Sequence, residues 1–335
     1  MMKKHIYIYS PSGAVRNKTA FRRGVARLKA LGHDVEVDAA ALASHLRFAG
    51  DDETRLAAIH RAAASGADLA LVSRGGYGLT RILGGIHYKK VAKAIDKGTL
   101  FVGISDFTAF QNAVLARTGA VTWAGPALLE GFGGSGKPKS AQGQNENAVW
   151  MPDEIMEACF DDLISGRGEG AGWRQHREAT QTATGSMASD AAGTAVLVQF
   201  NIRKAIMWGG NLSMLTSLLG TPYFPDVKGG ILFLEDVAEH PYRIERMLTQ
   251  LLHAGVLGRQ KAIILGQFTE YKLVPHDRGY KLQTVVNWLR QQLKIPVLTN
   301  LPYGHVATKV ILPVGARTDL LVEGRDALLF WGHDS

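Results

Sequence analysis

The sequence predicts an α/β protein with an N-terminal, mainly parallel-sheet domain and a smaller, β-rich α+β domain at its C-terminus. In the first 125 residues, short apolar strands alternate with amphipathic helices, as in parallel sheets with helical crossovers. A glycine- and serine-rich segment, 131–193, interrupts this pattern, and the chain closes with three short strands joined by tight turns. We therefore expect domains at 1–130 and 194–335, with 131–193 as a linker or excursion.

The N-terminal domain is predicted as a series of strand–helix units. The segment Ala67–Ser73 is almost continuously apolar, which is typical of a strand that a parallel sheet buries on both faces. Phe21–Leu31 repeats apolar residues at helical spacing, and Gly32 follows it as a stop signal. The predicted strands are His5–Tyr9, Val35–Val37, Ala67–Ser73 and Leu100–Ile104, and the predicted helices are Phe21–Leu31, Asp52–Ser65, Phe107–Arg117 and one that begins at Leu79.

The second half of the chain mixes longer helices with short strands. Pro241–Ala254 has proline in its first turn and apolar residues along one face, which predicts a helix. Hairpin-like turns near Gly315 and Gly324 predict that the chain ends in antiparallel strands. The predicted strands are Thr194–Phe200, Gly230–Leu234, Ala262–Phe268, Val310–Val314, Thr318–Val322 and Ala327–Trp331, and the further helices are Pro152–Ile164, Leu212–Leu219 and Tyr280–Leu293.

Composition excludes several classes of protein. Apolar residues make up 46% and charged residues 20% of the chain, the balance of a globular rather than a disordered protein. The single cysteine, Cys159, excludes an internal disulfide framework and a thiolate metal cluster. No metal-binding histidine motif occurs, so we do not expect a metal site. The chain has no apolar run of 18 residues, and its first strand is no signal peptide, so we expect a cytoplasmic protein and no membrane partner.

The net charge of +8 is distributed unevenly. Residues 1–150 carry a net charge of +9, and residues 151–335 carry −1. Such an imbalance favours an anionic partner, for example a small ligand rich in carboxylates, although solvated Lys and Arg scattered over helix surfaces would explain it equally. No basic run exceeds two residues and no nucleic-acid-binding motif occurs, so nucleic acid is not an expected partner.

Ser105 occupies the most informative position in the sequence. It follows the apolar strand Leu100–Ile104 and precedes a helix, and ligands of open α/β sheets bind beyond the carboxyl ends of strands. A serine lifted clear of the sheet there can act as a nucleophile, and the N–H groups that follow it, Asp106 first, can face an oxyanion. The plainer interpretation is that Ser105 or Asp106 only caps the helix.

Two further loops carry candidate residues. The turn Arg74–Gly78, RGGYG, also follows a buried strand, and its paired glycines would let backbone N–H groups approach a ligand, although a plain tight turn is equally consistent. Glu235 follows the strand Gly230–Leu234, and His305 lies in a loop, Pro302–His305. A hydroxyl nucleophile needs a base, and that base needs an orienting acid. Spacing alone does not show that Ser105, Glu235 and His305 meet.

These residues resemble the serine LD-carboxypeptidases, the muramoyltetrapeptide carboxypeptidases. The resemblance extends over nearly the whole chain in short motifs that occur in the family's order. The matching pieces are Pro11–Gly13, Phe48–Gly50 with Asp52, Glu53 and Arg55, Arg74–Gly78 with Arg81 and Leu83, Gly103–Asp106 with Thr108, Gly125–Pro126, Gly209–Ser213, Leu234–Asp236 with Glu239 and Tyr242, and Pro302–His305.

The resemblance implies a specific activity and site. It implies a catalytic triad of Ser105, Glu235 and His305, with the backbone N–H groups of Gly76 and Asp106 as the oxyanion hole. It also implies a cytoplasmic homodimer without a cofactor, which removes the terminal D-alanine from murein tetrapeptides during peptidoglycan recycling. Arg74 and Arg81 are both candidates for binding the substrate carboxylate.

The sequence departs from the family's pattern at two places. Ala124 stands where the family often has histidine before its Gly-Pro pair, which leaves any substrate contact there in doubt. The interval from Ser105 to Glu235 is also longer than expected, and 131–193 holds the excess. We further expect 131–145 to be mobile, because its Gly, Ser and Lys residues offer few apolar contacts.

Two alternative functions stay open from the sequence. One is a microcin-immunity-type peptidase of the same family, which cleaves an acyl-sulfamoyl adenylate and would need an aromatic platform for adenine, with Trp173 and Trp208 as candidates. The other is a non-catalytic α/β module that binds a phosphorylated or peptide ligand at Gly75–Gly78 and leaves Ser105 as a helix cap.

Overall fold

The computed structural model describes residues 3–134, 151–176 and 199–332. The chain forms two compact units, one of Met1–Gly168 with Ala307–Leu312, and one of Glu169–Val306 with Pro313–Ser335. Of the segment predicted as a linker or excursion, the described residues 131–134 and 151–168 group with the first unit, and residues 307–312 also return to it.

The first unit has alternating strands and helices, as predicted. Its strands and helices are β1 (His5–Tyr9), α1 (Lys18–Ala30), β2 (Asp34–Val37), α2 (Asp52–Ala64), β3 (Leu69–Val72), α3 (Leu79–Ile82), α4 (Tyr88–Asp96), β4 (Leu100–Gly103), α5 (Phe107–Thr118), β5 (Thr122–Ala124) and α6 (Glu154–Ser165). The short strand β5 and the helix α4 are additions to the predicted elements.

The strands of this unit form a parallel sheet in the order β2-β1-β3-β4-β5. Ile6 pairs with Leu69 and Ile8 with Leu71, so these four side chains share one face of the sheet. They belong to the apolar core on that face. Because all the strands run the same way, their carboxyl ends lie at one edge, where β4 delivers Ser105.

Part of the predicted mobile stretch is buried in this core. Residues Leu128–Gly133 form a π-helical turn, and Phe132 is fully buried, with its ring 4.8 Å from that of Phe160 on α6. The prediction of mobility for 131–145 is therefore wrong at its first residues, because one aromatic side chain anchors them. The residues from 135 to 145 lie outside the described ranges.

The second unit is built on a seven-stranded mixed sheet. Its elements are β6 (Gly170–Arg174), β7 (Gln199–Asn211), α7 (Leu212–Ser217), β8 (Ile231–Val237), α8 (Pro241–His253), β9 (Ala262–Thr269), α9 (Leu282–Gln292), β10 (Val297–Leu298), β12 (Arg317–Glu323) and β13 (Asp326–Phe330). Between β10 and β12 the chain also forms the short strand β11 (Leu312–Val314), which is not part of this sheet. The strand order is β10-β9-β8-β7-β12-β13-β6. The strands β7 to β10 run parallel, and β7, β12, β13 and β6 are successively antiparallel.

Three predictions for this half need correction. The strand predicted at Val310–Val314 does not join the closing antiparallel strands, because β11 belongs to the six-stranded sheet beside β5. The strand predicted at Thr194–Phe200 ends much later, because β7 runs on to Asn211, and residues 194–198 lie outside the described ranges. Glu235 and Asp236 do not follow β8 but lie within it. The two buried carboxylates are tolerated there because Nδ2 of Asn211 donates a hydrogen bond to each of them.

Candidate active site

Ser105 lies in a sharp turn between β4 and α5. Its backbone φ is 66°, in the left-handed region that costs a non-glycine residue about 1–3 kcal/mol. Neither Ser105 nor Asp106 acts as the simple helix cap that the sequence left open. Helix α5 begins at Phe107, and the side chain of Asp106 makes no capping hydrogen bond to it. Strain without capping is typical of a residue whose side chain must be presented in one direction.

The carboxylate of Asp106 turns back into the protein. It is buried and accepts hydrogen bonds from the hydroxyl of Ser12 and, at 2.9 Å, from the N–H of Leu79. Burial raises the pKa of Asp106, and these hydrogen bonds partly offset that effect. The side chain thus ties the nucleophile turn to the start of α3, and only its backbone N–H remains for an oxyanion.

The double-glycine turn packs directly against Ser105. A Cβ on Gly75 would lie 2.6 Å from the Cβ of Ser105, so only glycine fits there. Gly76 has a φ of 121°, which also favours glycine. Within the described ranges, the N–H groups of Gly76 and Asp106 donate no hydrogen bond. Both are therefore available to a ligand, as an oxyanion hole requires.

Arg55 on α2 supports this turn from beneath, a role that spacing did not reveal. Its side chain is fully buried, and its guanidinium donates to the carbonyl of Gly78 at 2.9 Å and to that of Pro11 at 3.2 Å. It also pairs with Asp52 and lies 4.7 Å from the ring centre of Phe48. A signal was present in the sequence, because Arg55 falls on the same helix face as the buried Ala58, Ile59 and Ala62.

The two arginines considered for substrate binding differ in their partners. Arg81 is half-exposed and forms an ion pair with Asp52 at 2.9 Å. Arg74 donates to the carbonyl of Ala14 at 3.2 Å, and its buried Nε has no hydrogen-bond partner among the described residues. Arg74 directly precedes Gly75, the residue that packs against Ser105.

The second unit brings together Glu235 and His305. Nδ1 of His305 lies 2.8 Å from Oε2 of Glu235. The glutamate is fully buried, while the histidine side chain keeps 20% of its surface exposed. A carboxylate only accepts, so His305 carries a proton on Nδ1 and its Nε2 is left as the basic nitrogen. Gly304, with a φ of 136°, turns the loop so tightly that a Cβ would come 3.1 Å from Oε2 of Glu235.

Asn211 completes the support of Glu235. Register pairs Asn211 on β7 with Glu235 on β8, which places both side chains on one face. Nδ2 of Asn211 donates to Oε1 of Glu235 at 3.1 Å and to Oδ1 of Asp236 at 3.0 Å. Asn211 also caps α7, because its side-chain oxygen accepts a hydrogen bond from the N–H of Met214. Its contact with the acid was missed, because pairing between distant strands is not visible in sequence.

Asp236 has a structural role beside this pair. Its carboxylate accepts hydrogen bonds from the N–H and the hydroxyl of Ser213, at 2.9 and 2.7 Å. Burial, and then the charge of Glu235, raises the pKa of Asp236, while its hydrogen bonds act in the opposite direction. Its two carboxylate oxygens are thus engaged within the unit.

Both tryptophans considered as adenine platforms are buried in the second unit. Trp208 is fully enclosed and its indole N–H donates to Gln260 at 3.1 Å. Trp173 donates to the carbonyl of Thr299 at 3.0 Å and is 9% exposed. In this conformation neither ring offers a face for stacking.

Neither a metal-binding cluster nor a membrane-spanning helix occurs in the described ranges. Among the described residues, no three His, Cys, Asp or Glu side chains come together as a metal site would require. No helix in the same ranges is both long and apolar enough to cross a bilayer.

Comparison with known proteins points to one family. Residues 6–125 match the model of the LD-carboxypeptidase N-terminal domain, and residues 204–320 match that of the LD-carboxypeptidase C-terminal domain. A probable murein peptide carboxypeptidase of Bacillus subtilis is 28% identical, with 90% of this chain and 84% of that protein covered. A putative carboxypeptidase of Streptomyces coelicolor is 30% identical, with 94% and 89% covered.

Solved structures give the same picture. A muramoyltetrapeptide carboxypeptidase from Oxalobacter formigenes is 36% identical and superposes with a TM-score of 0.78, over 98% of this chain and 99% of that one. The microcin C7 self-immunity protein MccF superposes with a TM-score of 0.77, over 99% and 97% of the two chains. At 19% identity, that second likeness shows a common fold only.

Proposed function

The chain belongs to the LD-carboxypeptidase family, and we propose that it is a serine carboxypeptidase that releases terminal D-alanine from murein tetrapeptides. Family membership makes it a peptidase and therefore a hydrolase. The observation that best supports the serine mechanism is the hydrogen bond between His305 and the buried Glu235, which leaves Nε2 as a base. The relatives named for murein and muramoyltetrapeptide substrates support the choice of peptide.

In the proposed mechanism, the hydroxyl of Ser105 attacks the carbonyl carbon of the L,D-peptide bond. His305 accepts the hydroxyl proton on Nε2, and Glu235 stabilises the resulting imidazolium. The N–H groups of Gly76 and Asp106 bind the oxyanion. His305 then protonates the leaving amine, so that D-alanine departs and an ester to Ser105 remains. Water, deprotonated by His305, hydrolyses that ester and regenerates the enzyme.

Arg74 is proposed to bind the terminal carboxylate of the substrate. A carboxypeptidase must recognise that free carboxylate, and a guanidinium is suited to bind it through paired hydrogen bonds. The guanidinium of Arg74 has no carboxylate partner among the described residues, in contrast to Arg81, which is paired with Asp52. The net charge of +9 in residues 1–150 would also attract a substrate with several carboxylates.

Mass spectrometry of murein tetrapeptide incubated with the protein tests the activity directly. We expect loss of one alanine, and no comparable cleavage of the peptide that ends in L-alanine. Ser105→Ala should lower kcat by roughly 10⁴- to 10⁶-fold without unfolding the protein. Ser65→Ala is the matched control, because within the described ranges the Ser65 hydroxyl bonds only to backbone groups near the end of α2, donating to the carbonyl of Ala62 and accepting from the N–H of Ala67. A folded Ser105→Ala variant with more than about a tenth of the wild-type rate would contradict the assignment.

The same assay separates the alternative functions. Cleavage of an aminoacyl-sulfamoyl adenosine in place of the tetrapeptide would indicate the microcin-immunity type, which the burial of Trp173 and Trp208 does not favour. Absence of turnover on both, with retained peptide binding, would indicate a binding module.

The cellular setting is part of the proposal. We propose a cytoplasmic homodimer that acts in peptidoglycan recycling, with no nucleic-acid or membrane partner. Sedimentation at micromolar concentration should give a mass of twice the 36.3 kDa chain. A concentration-independent mass of a single chain would contradict the dimer and leave the proposed chemistry untouched.

A further inference from the structure

A cavity of about 740 Å³ lies at the end of the first sheet opposite to Ser105. Its walls come from α2, from α4 and from the residues that directly precede β1, β3 and β4. Ser105 follows the carboxyl end of β4, whereas Thr99 at the cavity precedes its amino end. Four strand residues at about 3.3 Å each put at least 13 Å between the two places. The cavity is therefore separate from the proposed catalytic groups, and its volume falls in the range of small-molecule sites.

The charges that line this cavity are almost all positive. Lys4, Lys90, Lys93 and Lys97 contribute four ammonium groups, and Asp68 contributes the single carboxylate. Asp68 is already engaged, since it lies 3.4 Å from Nζ of Lys4 and accepts from the N–H of His5 at 2.8 Å. No ion pair within the described ranges involves Lys90, Lys93 or Lys97.

Three lysines, two on α4 and one at its C-cap, repel one another in the protein alone. They are spaced at i, i+3 and i+7, which puts them on one face of the helix, and like charges at such spacings destabilise a helix. A multiply charged anion in the cavity would convert this repulsion into attraction. Such a ligand would therefore stabilise this arrangement of lysines.

The cavity has room for such a ligand because small residues line the remaining wall. These residues are Ala63, Ala64, Gly66, Ala67, Ala94 and Gly98. Gly66 and Gly98 have positive φ angles of 71° and 101°, so both positions favour glycine on conformational grounds. No larger side chain fills the space between the lysines and this wall.

His60 lines the cavity, and its ring stacks on that of His87. The rings of His60 and His87 lie 4.2 Å apart and nearly parallel, and Nε2 of His60 accepts a hydrogen bond from the N–H of His87 at 3.1 Å. His60 is therefore neutral at Nε2 in this structure. Burial first, and then the charges of His87 and Lys90, lower the pKa of His60. An anion beside it would act in the opposite direction, so His60 reports on occupancy.

We propose that this cavity binds a small, multiply charged anion with two or more phosphate or carboxylate groups. Ammonium groups act as point charges and suit either chemistry, and no arginine lines the cavity to impose the planar geometry of one of them. The site is independent of the proposed peptidase function, because the residues that line the cavity include none of Ser105, Glu235 and His305.

Isothermal titration calorimetry of the full chain with pyrophosphate and, separately, with citrate tests the site. We expect one saturable site per chain, with an affinity that falls as salt is added, and with perturbation of the His60 ring signals in NMR spectra. Lys93→Gln combined with Lys97→Gln should weaken binding at least tenfold and leave peptidase activity unchanged. Lys18→Gln combined with Lys29→Gln, on exposed positions of α1 outside the cavity, is the matched control and should bind as the wild type does.

Comparison of the two probes identifies the chemical class of the ligand, and comparison of the two double variants tests whether it binds in this cavity. Preference for pyrophosphate would indicate a phosphate ligand, and preference for citrate would indicate a polycarboxylate. Equal losses in both double variants would show general charge attraction and overturn the site. The absence of saturable heat with either probe up to about 10 mM would overturn it as well, since a Kd above about 10 mM corresponds to a binding free energy weaker than about −3 kcal/mol.

Discussion

Replacing Glu235 by glutamine should change which nitrogen of His305 carries the proton. In the wild type, Oε2 of Glu235 accepts from Nδ1 of His305, and Oε1 accepts from Nδ2 of Asn211 at 3.1 Å. In Glu235→Gln the side-chain amide has one oxygen and one NH₂ group. Because Asn211 can only donate from Nδ2, the new amide oxygen will face Asn211 and its NH₂ group will face His305. Nδ1 of His305 must then accept, so the ring proton moves to Nε2 and the base is lost.

The size of the effect follows from these contacts. Losing a hydrogen bond to a charged group costs about 1.5–3 kcal/mol, and tenfold in rate corresponds to about 1.4 kcal/mol. Loss of this hydrogen bond alone would therefore lower kcat roughly 10- to 100-fold, and the unfavourable tautomer would lower it further. In a serine protease, the corresponding acid-to-amide change lowers kcat about 10⁴-fold. We expect a loss of kcat between about 10² and 10⁴, with KM changing much less.

Two measurements check this reasoning. Release of D-alanine from the tetrapeptide gives kcat and KM, and nitrogen NMR of the His305 ring gives the tautomer independently of activity. Glu239→Gln is the matched control, since Glu239 is a nearby acid that pairs with Arg243 at 3.6 Å. Adding His305→Ala to Glu235→Gln should cost little beyond His305→Ala alone. If Nδ1 keeps its proton in Glu235→Gln, or if the losses multiply independently, Glu235 does not act through His305.

Three further predictions concern the first unit. Gly75→Ala should reduce kcat at least tenfold, because the new methyl group would lie 2.6 Å from the Cβ of Ser105; unchanged kinetics would show that the turn can move freely. Arg55→Met should lower the free energy of unfolding by about 2–5 kcal/mol in urea titrations, because it leaves the carbonyls of Gly78 and Pro11 without their donor at a cost of about 1–3 kcal/mol each, and a loss below 1 kcal/mol would contradict this. Burial opposes ionisation of Asp38, but hydrogen bonds from Arg61, Tyr7 and the N–H of Ala40 outweigh it and lower its pKa. Asp38 thus stabilises the fold above about pH 4 and loses this effect as the pH falls through its lowered pKa, so Asp38→Asn should unfold with a shallower acid dependence; an equal dependence would refute this.

The local pattern of the chain determined most of the first unit. Strand β1 has the predicted bounds. Its five residues lie between the charged Lys4 and Pro11, which leaves little choice for where the strand begins and ends. Helices α2 and α5 also begin at the predicted residues, Asp52 and Phe107. In a parallel sheet each strand–helix unit is set by local periodicity, and the shared direction of the strands then places their carboxyl ends together. The position of Ser105 beyond β4 follows from that rule alone.

Only the tertiary structure decided the contacts between distant segments. The strand β11 leaves the closing antiparallel strands for the first sheet, a choice made by pairing across the chain and not by its own three residues. Asn211 reaches Glu235 because β7 and β8 pair in one register, 24 residues apart in sequence. Arg55 is likewise buried because two distant carbonyls meet its guanidinium. Periodicity describes which face of an element is apolar, whereas the partner that satisfies a buried polar group is fixed only when the elements pack.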